Sequence, residues 1–106
     1  MFLNLVKNGQ ELADATRRYQ TAVIDRVDAQ MEVEDGERRW QGHDLGTSDL
    51  YSLQRKYQEK LKDEMCRKLE LVDAERSYML EELTVRTKLL SVEAKIRQID
   101  ITGEIE

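Results

Sequence analysis

Gln41-Gly42-His43-Asp44-Leu45-Gly46-Thr47-Ser48-Asp49 is the stretch that decides the fold, because turn formers and helix-capping residues crowd together there and nowhere else in the chain. On its N-terminal side, Leu5, Leu12, Ala15, Tyr19, Ala22, Val23 and Val27 recur three, four or seven apart, which lays them along one side of a helix. That helix is expected from about residue 5 to about residue 39, with Asn4 or Asn8 able to cap its start. Asp35-Gly36 is a place where it could end early or kink, since glycine weakens a helix interior.

On the C-terminal side, Thr47 or Ser48 serves as an N-cap, and Asp49 suits the positive end of the helix dipole. The stripe that follows reads Leu50, Leu53, Tyr57, Leu61, Met65, Leu69, Val72, Met79, Leu83, Leu90 and Ala94, with charges on the other faces. No strong stop precedes Thr102-Gly103, so the second helix is expected from about residue 48 to about residue 101. The expected fold is therefore all-α, one antiparallel two-helix hairpin domain spanning residues 1–106, with its bend at about residues 40–47.

The two arms are unequal. At about 1.5 Å per residue the second helix is roughly 75 to 80 Å long and the first roughly 50 Å, so the first should run out opposite about residue 83. Beyond that point Val85, Leu89, Val92, Ile96 and Ile99 step by four, three, four and three, the spacing of a coiled-coil seam, while Leu83, Leu90 and Ala94 continue the hairpin stripe beside it. Burying a large aliphatic side chain is worth roughly 1.5 to 3 kcal/mol, so an overhang of this composition calls for another chain. Leu83, Val85, Leu89, Leu90, Val92, Ile96 and Ile99 are the expected interface, and the partner is a second copy or a similar helical hairpin. β-Branched residues at d positions favour a higher-order or antiparallel assembly over a parallel dimer.

Composition excludes several function classes. Charged residues make up 37% of the 106 residues, aromatics 6%, and proline is absent, the balance of long solvent-exposed helices. Mean hydropathy is -0.70, but the apolar residues are periodic rather than merely sparse. Net charge is -5, and the densest basic stretch (Arg55, Lys56, Lys60, Lys62, Arg67, Lys68) is interleaved with Glu59, Asp63 and Glu64. No basic face for a phosphate backbone results, so nucleic acid is not an expected partner. The opening Met-Phe-Leu-Asn-Leu-Val is too short for a signal-peptide core and no later run reaches membrane-spanning length. The expectation is a cytoplasmic protein without stable membrane insertion, exported, if at all, without a cleaved signal peptide.

Enzymatic chemistry lacks its usual residues. There is one histidine, His43, in the bend, and one cysteine, Cys66, with no histidine near it in sequence. Glu32, Glu34, Asp35 and Glu37 lack the aspartate-glycine spacing of a calcium loop and read as a solvated acidic helix end. No catalytic, cofactor or metal site is expected.

Trp40-Gln41-Gly42 contains the only tryptophan of the chain and falls at the bend. A large aromatic there can clamp the two helix ends while glycine lets the backbone reverse. In motif, position and length the chain resembles the WXG100 family of small helical-hairpin proteins. That family carries a tyrosine followed four residues later by an acid as an export signal, a pattern matched by Tyr78 and Glu82. The resemblance implies a substrate or partner protein of a type VII secretion system, exported as a folded helical dimer without a cofactor. Gly46-Thr47-Ser48-Asp49-Leu50, followed by Leu53-Gln54, also loosely resembles the turn and second-helix start of type III secretion needle and rod subunits, which implies a subunit or chaperone of a type III secretion apparatus. A cytosolic coiled-coil adaptor, dimerised through the heptad end, is the reading outside secretion.

Overall fold

The structure, a computed structural model, describes residues 2–102, with side-chain surroundings for residues 3–100. Two helices account for nearly all of it: α1, Phe2–Gln41, and α2, Thr47–Thr102. They form an antiparallel hairpin 88 Å long and about 16 by 14 Å across. Both helices start slightly earlier than the sequence pattern predicts, α1 at Phe2 and α2 at Thr47. Gly36 neither ends nor kinks α1, which continues five residues beyond it.

The register can be read from pairs that cross between the helices. Trp40 meets Thr47, Lys56 meets Glu32, Arg26 meets Glu64, Arg18 meets Glu70, and Tyr78 comes against Gly9. As the number falls along α1 it rises along α2, which carries the start of α1 to the level of Val85. Val85 is accordingly only 4% exposed.

Packing follows a heptad seam on each helix. On α1 it is Leu5, Asn8, Leu12, Ala15, Tyr19, Ala22, Arg26, Ala29, Val33 and Gly36, every one buried or half-buried. On α2 it is Leu50, Leu53, Tyr57, Lys60, Glu64, Arg67, Leu71, Ala74, Tyr78, Glu81 and Val85, again all buried or half-buried. Steps alternate between three and four throughout, which keeps one side of a gently supercoiled helix facing its neighbour. Every second position on α1 from Ala15 onward is small: Ala15, Ala22, Ala29 and Gly36. They are also its most enclosed residues, the three alanines being 2–3% exposed. A short side chain at each of these levels lets the backbones approach and gives the larger side chains of α2 a place to sit. Gly36 is the extreme case, because a Cβ there would lie 2.7 Å from Cδ1 of Leu53.

The α2 stripe expected from sequence is corrected by this seam. Leu50, Leu53 and Tyr57 do face α1, but from Met65 onward the expected stripe turns away: Met65 is 63% exposed, Leu69 67%, Met79 62%, Leu83 57% and Leu90 64%. The cause is geometric. Tyr57, Leu61, Met65 and Leu69 advance in steps of four, and each such step gains about 40° around a helix of 3.6 residues per turn. The α1-facing side instead continues through Glu64, Arg67, Leu71, Ala74, Tyr78 and Glu81, several of them charged.

If close approach at the small positions sets the seam, enlarging one of them should force the helices apart. Ala22→Leu is expected to lower unfolding free energy in urea by about 1 to 3 kcal/mol through overpacking. Ile24→Leu, at a position 60% exposed, should leave the urea midpoint within error of the original.

Candidate interaction surfaces

The bend is built by a Schellman motif. Gly42 N–H donates to the Arg38 carbonyl (3.1 Å), His43 N–H to the Trp40 carbonyl (3.1 Å) and Asp44 N–H to the Arg39 carbonyl (2.7 Å), so the last carbonyls of α1 are satisfied before the chain leaves the helix. The residue in the left-handed conformation is His43, with φ of 64°. This corrects the expectation for Gly42: the reversal is made one residue later, by a residue with a Cβ. Leu50 N–H donates to the Gly46 carbonyl at 3.0 Å, which makes Gly46 the N-cap of α2 in place of Ser48. Thr47 has a different task, its hydroxyl accepting a hydrogen bond from the Trp40 indole N–H at 3.2 Å. The indole does tie the two helix ends together, although Trp40 remains 43% exposed.

In mid-hairpin the seam is ionic. Arg26 donates to both Glu64 oxygens, Nε to Oε2 at 2.7 Å and Nη2 to Oε1 at 3.3 Å, while its Nη1 donates to Gln30 at 3.0 Å. With side chains only 24% and 14% exposed, this is the most enclosed ion pair of the hairpin among the described residues. The hydrogen bond from the guanidinium to the Glu64 carboxylate holds the Arg26 pKa above its ordinary value. Arg67 is raised in the same way by Glu70. A bidentate Arg–carboxylate pair has demanding geometry, so it fixes which levels of the two helices meet.

Either side of this seam the hairpin presents a different surface. One flank is charged, with Arg18–Glu70 at 3.6 Å and Lys56–Glu32 at 3.1 Å bridging the helices beside Asp25, Asp28, Lys60 and Asp63. The opposite flank holds an open groove of about 470 Å³ between Tyr19 on α1 and Tyr57, Leu61, Met65 and Leu69 on α2. Lys68 Nζ stands 5.1 Å from the centre of the Tyr19 ring at its edge. Val27 and Met31, 38% and 61% exposed, extend the apolar character along α1.

A second heptad pattern runs along the part of α2 that faces away from α1. Met65, Leu69, Val72, Arg76, Met79, Leu83, Arg86 and Leu90 alternate steps of four and three, and the sequence reading had assigned their apolar members to the hairpin itself. Leu80, 59% exposed, adjoins them.

Of the residues expected at an interface, Leu83, Leu89, Leu90, Val92, Ile96 and Ile99 are exposed in the single chain, at 57%, 46%, 64%, 52%, 53% and 42%. Val85 is not one of the overhang; it closes the last layer of the hairpin, because α1 reaches further back along α2 than its predicted start at about residue 5 allows. Residues 86–100 are exposed throughout.

Tyr78 and Glu82 are not displayed together as a free motif. Tyr78 is half-buried at a seam position, where a Cβ on Gly9 would lie 3.4 Å from its ring, and Glu82 pairs with Arg86 at 2.7 Å. Cys66 is exposed and forms no disulfide among the described residues. Among the described residues there is no group of three or more His, Cys, Asp or Glu placed to hold a metal ion, and no helix is long and apolar enough to cross a membrane. Comparison of the chain with protein-family models, characterised proteins and solved structures returns no match.

The bend carries a removable strain. A non-glycine residue in the left-handed region costs roughly 1 kcal/mol, so His43→Gly should raise unfolding free energy by a few tenths to about 1 kcal/mol, the gain being reduced by the freedom glycine adds to the unfolded chain. A fall in the urea midpoint of that variant would contradict the assignment of His43 as the turning residue.

Proposed function

We propose that this chain is a non-enzymatic protein-interaction subunit that acts by joining its α2 overhang to another helical chain. One observation carries the reading. Leu89, Val92, Ile96 and Ile99 hold coiled-coil spacing on a helix end that extends past α1, and each is between 42% and 53% exposed. Single exposed apolar residues are ordinary on protein surfaces, whereas a periodic row of them on an unsupported helix end is the form of a helix-in-groove or coiled-coil contact. About half of each of these side chains is still open to water, so covering the remainder contributes roughly 0.8 to 1.5 kcal/mol per side chain, on both chains of a pair, against the entropic cost of bringing them together.

The double variant Leu89→Asp with Ile96→Asp is expected to reduce the assembly to monomer mass in light scattering. Both positions lie beyond the hairpin, so its helical content should persist. Arg17→Gln, at a side chain 73% exposed on α1, should leave the mass unchanged. An unaltered assembly in the double variant removes the basis of the proposal.

Trp40-Gln41-Gly42 at the bend, with the indole tied to Thr47, favours a finer reading in which the chain is a substrate or partner of a type VII secretion system, like the WXG100 proteins it resembles. On this reading Tyr78 and Glu82 act in export. Tyr78→Ala also removes a packing layer of the hairpin, so the discriminating variant is Glu82→Gln, whose side chain reaches only Arg86. In a host with a type VII system, intact protein should appear in the culture supernatant, and Glu82→Gln should abolish its appearance without lowering cellular levels. Equal export of both forms would set the secretion reading aside.

A further inference from the structure

The hairpin leaves two apolar surfaces besides the overhang: the groove flanked by Tyr19, Tyr57, Leu61, Met65 and Leu69, and the outward stripe of α2 from Met65 to Leu90. We propose that a single occupant covers both, a second copy of this chain laid antiparallel along α2 about a two-fold axis level with Ser77 and Tyr78. Each overhang then lies along the groove of the other copy. The proposal rests on the reading of the overhang as a docking element and supplies its partner.

Three features of α2 converge on this arrangement. The first is the spacing of the stripe. Its steps, four and three in alternation from Met65 to Leu90, read identically in both directions. A two-fold axis between residues 77 and 78 therefore places Met65 level with Leu90 of the partner subunit, Leu69 with Arg86 of the partner subunit, Val72 with Leu83 of the partner subunit and Arg76 with Met79 of the partner subunit. Such a stripe is self-complementary, as an isologous interface must be.

The second is charge. A parallel, in-register pairing of the same stripe would set Arg76 against its own copy and Arg86 against its own copy, two like-charge pairs in seam layers with carboxylates only on the flanks. The antiparallel pairing sets each of these arginines against an aliphatic or thioether side chain. Their long stems can cover that apolar surface while the guanidinium groups reach the rim, where Glu82 already receives Arg86 at 2.7 Å.

The third is the match between overhang and groove. Leu61, Leu89 and Ile96 are separated by multiples of seven, so they lie on one line along α2. The groove and the overhang thus use the same side of the helix, one on each side of the proposed axis and at similar distances from it. The two-fold brings Leu89 to Ile96 alongside the segment from Glu59 of the partner subunit to Cys66 of the partner subunit, the stretch that carries Leu61 and Met65 of the groove. The overhang becomes the third helix of a small bundle at each end of the dimer, and the apolar surface of the groove is removed from water in the same step. A heterologous head-to-tail contact would instead leave one overhang and one groove free at the ends, which invites open-ended growth.

The native Cys66, exposed on the edge of the stripe, gives a direct test without any substitution. Nitroxide-labelled at Cys66, the full chain should show an intermolecular electron–electron distance near 35 Å, the spacing set by about 1.5 Å per residue across the proposed axis. A parallel dimer would bring the two labels within about 20 Å, since packed helices lie 8 to 10 Å apart, and that result overturns the proposal. Met79→Asp with Leu83→Asp, at positions facing away from α1, should abolish the 35 Å distance while leaving the hairpin, residues 2–85, helical; persistence of the distance would also overturn it. If the chain is oligomeric and Leu89→Asp with Ile96→Asp disperses it, but the Cys66 distance is not near 35 Å, this arrangement is wrong while the overhang reading stands. If the chain is monomeric and that double variant alters nothing, both fall.

Discussion

Close packing of α2 over the small residues Ala15, Ala22, Ala29 and Gly36 is the constraint on which the rest of the molecule depends. Because these positions recur every seventh residue, they hold α1 against one side of α2 for its whole length and give the larger residues of α2 room on the facing side. A seam made this way needs little apolar bulk. Leu50, Leu71 and Val85 are the only large hydrophobic residues with under a tenth of their surface exposed among the described residues, and the central layer is an Arg26–Glu64 pair. Several bulky apolar side chains of α2, among them Met65, Leu69, Met79, Leu80 and Leu83, are thereby left on its outer side.

That division of labour links the fold to the proposed function. Small and charged residues share the seam with leucines, valines and tyrosines, and the ion pair fixes its register, since only one alignment lets Arg26 reach both Glu64 oxygens while Gly36 receives Leu53. The leucines and methionines of α2 that lie off this seam line the outer stripe, the groove and the overhang. A chain that spent its apolar residues internally would have no reason to extend α2 beyond α1. Here the extension is the part most in need of cover.

Much of this was legible from sequence, and the errors have a common physical source. The bend at Gln41 to Asp49, the absence of strands among the described residues, and the unequal arms all follow from turn residues and helical periodicity. The assignment of the α2 stripe did not hold, because the sequence reading followed the most apolar residues, whereas the intramolecular seam follows the most compact ones. Lys60, Glu64 and Arg67 carry no apolar signal; the heptad spacing of Ala15, Ala22, Ala29 and Gly36 on the opposite helix was the clue that could have found them. Val85 was placed in the overhang because α1 was expected to start later than Phe2. The left-handed residue was sought at Gly42, the obvious candidate by chemistry, yet hydrogen-bond closure of α1 puts it at His43.

The central claim is that residues 86–100 are completed by another chain. A lone helix end of about this length is marginal in water without a partner, whereas residues 50–85 already pack against α1, so protection of residues 86–100 should depend on concentration more steeply than that of the hairpin. Amide hydrogen exchange along α2, measured over a hundredfold range of protein concentration, reads this residue by residue. Protection in residues 86–100 should rise with concentration toward that of residues 50–85. Rapid exchange in residues 86–100 at every concentration, beside a fully protected hairpin, would contradict the account.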